Sequence, residues 1–112
     1  MSVTIYHNPK CSKSRATLAL LEENGITPEI IEYLQTPPSA AELKAILGKL
    51  GRRPADLLRQ KEAAEEGVDA TLPDDALIAQ MVAHPRVIER PIVVKDDRAA
   101  VGRPPESVLD II

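Results

Sequence analysis

Hydrophobic positions in this chain fall into short runs whose period changes several times between the two ends. Ser2-Val3-Thr4-Ile5-Tyr6 is a strand-like run. Helix formers then extend from about Ser12 to Asn24, among them Ala16, Leu18, Ala19, Leu20 and Leu21, with Gly25 as the stop signal. Glu29-Ile30-Ile31-Glu32-Tyr33 is a second strand, rich in β-branched residues. Strand, helix and strand in that order predict a βαβ unit, parallel and with a right-handed crossover.

A proline-bearing connector, Gln35-Thr36-Pro37-Pro38, leads into a different pattern. Ser39-Ala40-Ala41-Glu42 has the spacing of a capping box. Leu43, Ile46, Leu47 and Leu50 follow at i, i+3, i+4 and i+7, which predicts one apolar helix face ending at Gly51. Pro54 opens a short helix over Ala55 to Lys61, and the acidic, small-residue segment Glu62 to Thr71 reads as a surface connection. Asp74 or Asp75 is placed to cap another helix, with Leu77, Ile78, Met81 and Val82 as its stripe and Pro85 as its end. Ile92-Val93-Val94 and Ala99-Ala100-Val101 flank the polar turn Lys95-Asp96-Asp97-Arg98, a β-hairpin, and residues 104–112 form a short terminal helix. The order βαβ, helices, ββα predicts a mixed-sheet α/β protein. Residues 1–112 read as one domain, and the helices between about 39 and 85 read as an insertion into it.

Composition narrows this further. The 112 residues match the roughly 100–150 of an ordinary domain. The core must be aliphatic, because the chain has no Phe or Trp and only Tyr6 and Tyr33. A net charge of −3 argues against nucleic acid or an anionic membrane as partner. One cysteine allows no internal disulfide, and Cys11 with His7 and His84 makes no zinc site, so no metal is expected. No apolar stretch approaches the ~20 residues of a membrane span and no signal peptide opens the chain, which points to a reducing cytoplasm.

That single cysteine carries the chemistry. Cys11 stands where the first strand gives way to the first helix, within His7-Asn8-Pro9-Lys10-Cys11-Ser12-Lys13-Ser14-Arg15. A helix N-terminus offers unpaired N–H groups and the positive end of the dipole. With His7, Lys10, Lys13 and Arg15 close in sequence, the setting favours the thiolate, the form that acts as nucleophile. Arg-Pro occurs three times, at Arg53-Pro54, Arg90-Pro91 and Arg103-Pro104. Two or three guanidiniums meeting beside a thiolate would match a tetrahedral oxyanion, each offering a bidentate fork.

These residues resemble the glutaredoxin-coupled arsenate reductases, end to end. The stretch from His7 to Arg15 is similar to that family's H-N-P-x-C-x-x-S-R pattern. Thr36-Pro37-Pro38, Leu57-Leu58-Arg59, Glu89-Arg90-Pro91-Ile92-Val93-Val94 and Gly102-Arg103-Pro104 follow in the family's order. The Cys11-Ser12-Lys13-Ser14 wording and the Gly102 to Glu106 ending also fit a branch found outside arsenic-resistance settings.

The resemblance implies a thioredoxin/glutaredoxin-like three-layer sandwich with a mixed four-stranded sheet, a helical insertion, and a cis Pro91 near Cys11. It implies Cys11 as nucleophile, His7 favouring its thiolate, and Arg59, Arg90 and Arg103 holding the oxyanion. Asn8, Ser14, Arg15 and Pro91 take supporting places. The implied reaction reduces arsenate to arsenite through a cysteine–arsenate adduct. No cofactor is bound. Glutathione serves as cosubstrate and forms the mixed intermediate, glutaredoxin takes up the disulfide linkage, and the protein works as a monomer. Two other readings use the same thiol: a glutathione-dependent oxidoreductase with another substrate, and a redox-responsive binding protein of this fold. The latter's usual C-x-x-C pair is absent, since Ser14 stands three residues after Cys11.

Overall fold

The computed structural model describes residues 2–112. The chain divides into two compact units, one made of the chain up to Thr36 together with Arg90–Ile112, the other of Pro37–Glu89.

The first unit is built on β1 (Val3–His7), α1 (Ser12–Glu23), β2 (Glu29–Glu32), β3 (Ile92–Lys95) and β4 (Arg98–Val101). The sheet is mixed, in the order β2-β1-β3-β4, with β1 parallel to β2 and antiparallel to β3, and β3 antiparallel to β4. This is the expected α/β arrangement, with the hairpin turning at Asp96 and Asp97. Along β1 the period of two buries Val3, Ile5 and His7 while Thr4 and Tyr6 stay half-buried. Ile5 sits opposite Ile30 on one side and Val93 on the other. Val3, Ile5 and Val93 join Leu21 of α1 and Val108 of the 3-10 segment Pro105–Asp110 in one core cluster. Full burial of such a side chain contributes on the order of 1.5–3 kcal/mol. The same alternation carries His7 onto this buried face at the end of β1, where the chain turns toward α1.

The second unit contains α2 (Ala40–Leu50), α3 (Gln60–Glu66) and α4 (Asp74–Ala83), with 3-10 turns at Pro54–Leu57 and Pro85–Val87. The capping box is present: Ser39 Oγ accepts from the Glu42 N–H at 3.1 Å, and Glu42 Oε1 accepts from the Ser39 N–H at 3.0 Å. Leu43, Ile46 and Leu47 of α2 are buried, as are Leu77, Ile78 and Met81 of α4, the helix it packs against.

Three expectations need correction here. The helix expected over Ala55 to Lys61 is a 3-10 turn, Pro54–Leu57, followed by extended Leu58 and Arg59 and then α3. Leu58 leaves helical geometry because it bridges Ile88, and the Arg59 N–H donates to the Val87 carbonyl at 2.7 Å. The acidic connection from Glu62 begins as helix, since Ala63 is buried and Gly67 supplies a left-handed terminus with φ 71°. Neither Asp74 nor Asp75 is the cap of α4: Pro73 holds that place, and both aspartates lie in the first turn, where negative charge suits the dipole.

Among the described residues no helix is long and apolar enough to cross a membrane.

Candidate active site

Cys11 is the N-cap residue of α1, in extended conformation (φ −94°, ψ 124°), and it is 9% exposed. Its own N–H donates to the Asn8 carbonyl at 3.0 Å, closing a tight turn before the helix, and its carbonyl accepts from the Arg15 N–H at 3.0 Å. No side chain caps this helix and no acidic residue stands in its first turn. The early N–H groups and the positive dipole end are thus left for the thiol or for an anion beside it.

The turn is fixed from several directions. Asn8 Oδ1 accepts from the Lys10 N–H at 3.0 Å, and Arg15 Nη1 donates to the Pro9 carbonyl at 2.9 Å. Ser14 is fully buried, and its hydroxyl oxygen accepts from the Asn8 N–H at 3.0 Å. That hydroxyl also shares a hydrogen bond of 2.6 Å with His7 Nδ1. Burial holds the imidazole of His7 below its ordinary value of 6.5; Arg15 acts in the same direction and Glu32 against it. The ring is therefore held toward its neutral form, and its Nδ1 bond runs to Ser14 rather than to the thiol.

Arg103 arrives from 92 residues away in sequence, with Nη2 3.5 Å from Cys11 Sγ. Its Nε donates to the Arg90 carbonyl at 2.7 Å, so Arg90 contributes to this mount through its backbone. The Arg90-Pro91 peptide is cis, as the resemblance implied, and Arg103-Pro104 is a second cis bond that sequence reasoning did not anticipate. Pro91 is buried, and its carbonyl accepts from the Gly102 N–H at 2.9 Å. Cys11, His7, Asn8, Ser14, Arg15, Arg90, Pro91 and Arg103 all belong to the first unit.

Arg59 belongs to the second unit, where carboxylates surround it. Its Nη2 lies 2.8 Å from Glu62 Oε2, and its Nη1 lies 4.0 Å from Glu89 Oε1. Glu62 stands at i+3 from Arg59, a close helical neighbour. Sequence reasoning also gave Thr17 no place in the site, and Gly102 none beyond its motif. Among the described residues no group of three or more His, Cys, Asp or Glu stands together as a metal site.

The sheet order, the cysteine capping the helix after β1 and the cis proline before β3 define a thioredoxin-like protein built around one thiol. The ArsC family pattern matches residues 6–111, and the chain belongs to that family. It is similar to the arsenate reductase of Vibrio cholerae, with 54% identity and a TM-score of 0.93 over 100% of this chain and 98% of that one. It is 49% identical to the arsenate reductase of Neisseria meningitidis serogroup A, over 95% of this chain and 94% of the relative. It is 52% identical to the uncharacterized protein YfgD of Escherichia coli, over 98% of this chain and 96% of that protein.

Proposed function

We propose that this protein reduces arsenate to arsenite at Cys11, with glutathione and glutaredoxin supplying the electrons. The observation that carries the reading is Arg103 Nη2 at 3.5 Å from the sole thiol, at a helix N-terminus with no competing side-chain cap. Two relatives at about half identity over nearly the whole chain bear the arsenate reductase name, which supports the same substrate.

In this reading the oxyanion rests against the first N–H groups of α1, with the guanidiniums of Arg103 and Arg90 as its cationic ligands. These groups lower the cost of bringing a thiolate to an anion. The Cys11 thiolate attacks arsenic; an S–As bond forms and one arsenate oxygen, taking up protons, leaves as water. A glutathione thiolate then attacks the Cys11 sulfur. The S–S bond forms, the S–As bond breaks, and its electron pair stays on arsenic, which departs as arsenite. Glutaredoxin removes glutathione from the mixed disulfide and restores Cys11. An outside thiol is required because the chain has a single cysteine. The protein acts as a monomer in the reducing cytoplasm, where such a thiol persists.

The test is arsenite production by the purified protein with arsenate, glutathione and glutaredoxin, beside Cys11→Ser. Turnover is expected in the unmutated protein and none above background in the variant. Equal turnover in Cys11→Ser overturns the reading. Absence of turnover in the unmutated protein, with Cys11 still open to alkylation, removes arsenate as the substrate while leaving the thiol chemistry.

A further inference from the structure

Arg103 reaches the thiol because the backbone one residue earlier passes closer to α1 than any side chain allows. A Cβ at Gly102 would lie 2.8 Å from Pro91 Cγ, 3.1 Å from Thr17 Cγ2 and closer still to Thr17 Oγ1. Neither wall is a loose surface group. Thr17 is fully buried within α1, and its hydroxyl donates to the Lys13 carbonyl at 2.8 Å. Pro91 is also fully buried and is tied to Gly102 by the 2.9 Å bond from the Gly102 N–H to its carbonyl. From this anchor the next residue turns sharply. The Arg103 N–H donates to the Val101 carbonyl at 2.9 Å, and its Nε donates to the Arg90 carbonyl at 2.7 Å. What remains of the side chain ends at Cys11 Sγ.

We propose that Gly102 is a positioning residue: by lacking a side chain it lets the end of β4 seat between Thr17 and Pro91, and so holds the Arg103 guanidinium at the thiol. A methyl group there must push either α1 or the Arg103 turn outward. Displacements on the order of 1 Å cost about 10²-fold where reacting groups are held in place. The inference concerns the charge beside Cys11, so it stands whichever oxyanion that thiol meets.

The test needs no substrate. Cys11, the only thiol in the chain, is alkylated at pH 7 with anionic iodoacetate and with neutral iodoacetamide. The ratio of the two rates reports positive charge at the sulfur, whereas a general loosening of the site moves both rates alike. One unit charge ~4 Å away changes the preference for an anion about fivefold in water. Arg103→Ala is expected to lower the ratio by about that factor. Gly102→Ala should lower it similarly, and the double variant should go no lower. Adding Thr17→Ala to Gly102→Ala removes two of the three clashing atoms and should restore part of the ratio. A folded Gly102→Ala protein with the unmutated ratio overturns the proposal, as does a double variant in which the two losses multiply. If Gly102→Ala does not fold, the Thr17→Ala background is used. There the ratio should fall as residue 102 changes from glycine to alanine to valine, and a flat series overturns the proposal.

Discussion

Arg103 in the first unit and Arg59 in the second are the same residue type in opposite settings. Arg103 is held by a backbone carbonyl at 2.7 Å and extends its terminal nitrogen to a sulfur. Arg59 faces Glu62 at 2.8 Å and Glu89 at 4.0 Å, with its side chain 21% exposed. A carbonyl tether orients a guanidinium without spending its charge. Carboxylates neutralise what they orient. An arginine near a cysteine in a motif therefore says little until its other neighbours are known. Arg103 meets the thiol, whereas Arg59 meets the carboxylates of its own unit.

The largest expected effect is on catalysis. Arg103→Ala should lower kcat/KM for arsenate about 10²-fold, the scale of losing one donor to a developing negative charge. It should shift the urea midpoint less than Arg59→Ala does, because the bond it loses to the Arg90 carbonyl is exposed. Arg59→Ala should instead destabilise the protein by about 1–3 kcal/mol in urea unfolding, because Glu62, 12% exposed, loses its charged partner. If Arg59→Ala leaves stability intact and matches Arg103→Ala in kinetics, the contrast between the two arginines fails. The smallest effect is one of pH and belongs to the first unit. His7 is held below 6.5 by burial, so just under that pH the unfolded chain binds protons that the folded state refuses. Stability present above about pH 6.5 should be lost as the pH falls through the folded value, and His7→Asn should flatten that decline in thermal unfolding.

The legibility of the chain follows the range of the interactions. β1, the loop to α1 and α1 itself were readable because their determinants are neighbours: alternation, a cap position and a stop at Gly25. The α2 capping box and its apolar face were readable for the same reason. The stretch from Ala55 to Thr71 departs from its local pattern because Leu58 answers to Ile88, thirty residues on, and Ala63 answers to the core of its unit. Glu62 is nearly buried beside Arg59, and an acidic cluster looks alike in sequence whether or not a guanidinium lies 2.8 Å away.

By itself the sequence determined the mixed-sheet class, the cysteine at the start of a helix and the family that its motifs match. These depend on local propensity and on spacings of a few residues. Only the tertiary structure decided that Arg103 meets Cys11 across 92 residues, that His7 spends its hydrogen bond on Ser14, and that Gly102 must have no side chain. Those outcomes depend on which surfaces are pressed together and how closely. Close packing makes a few tenths of an ångström decisive, and no local pattern of residues records such distances.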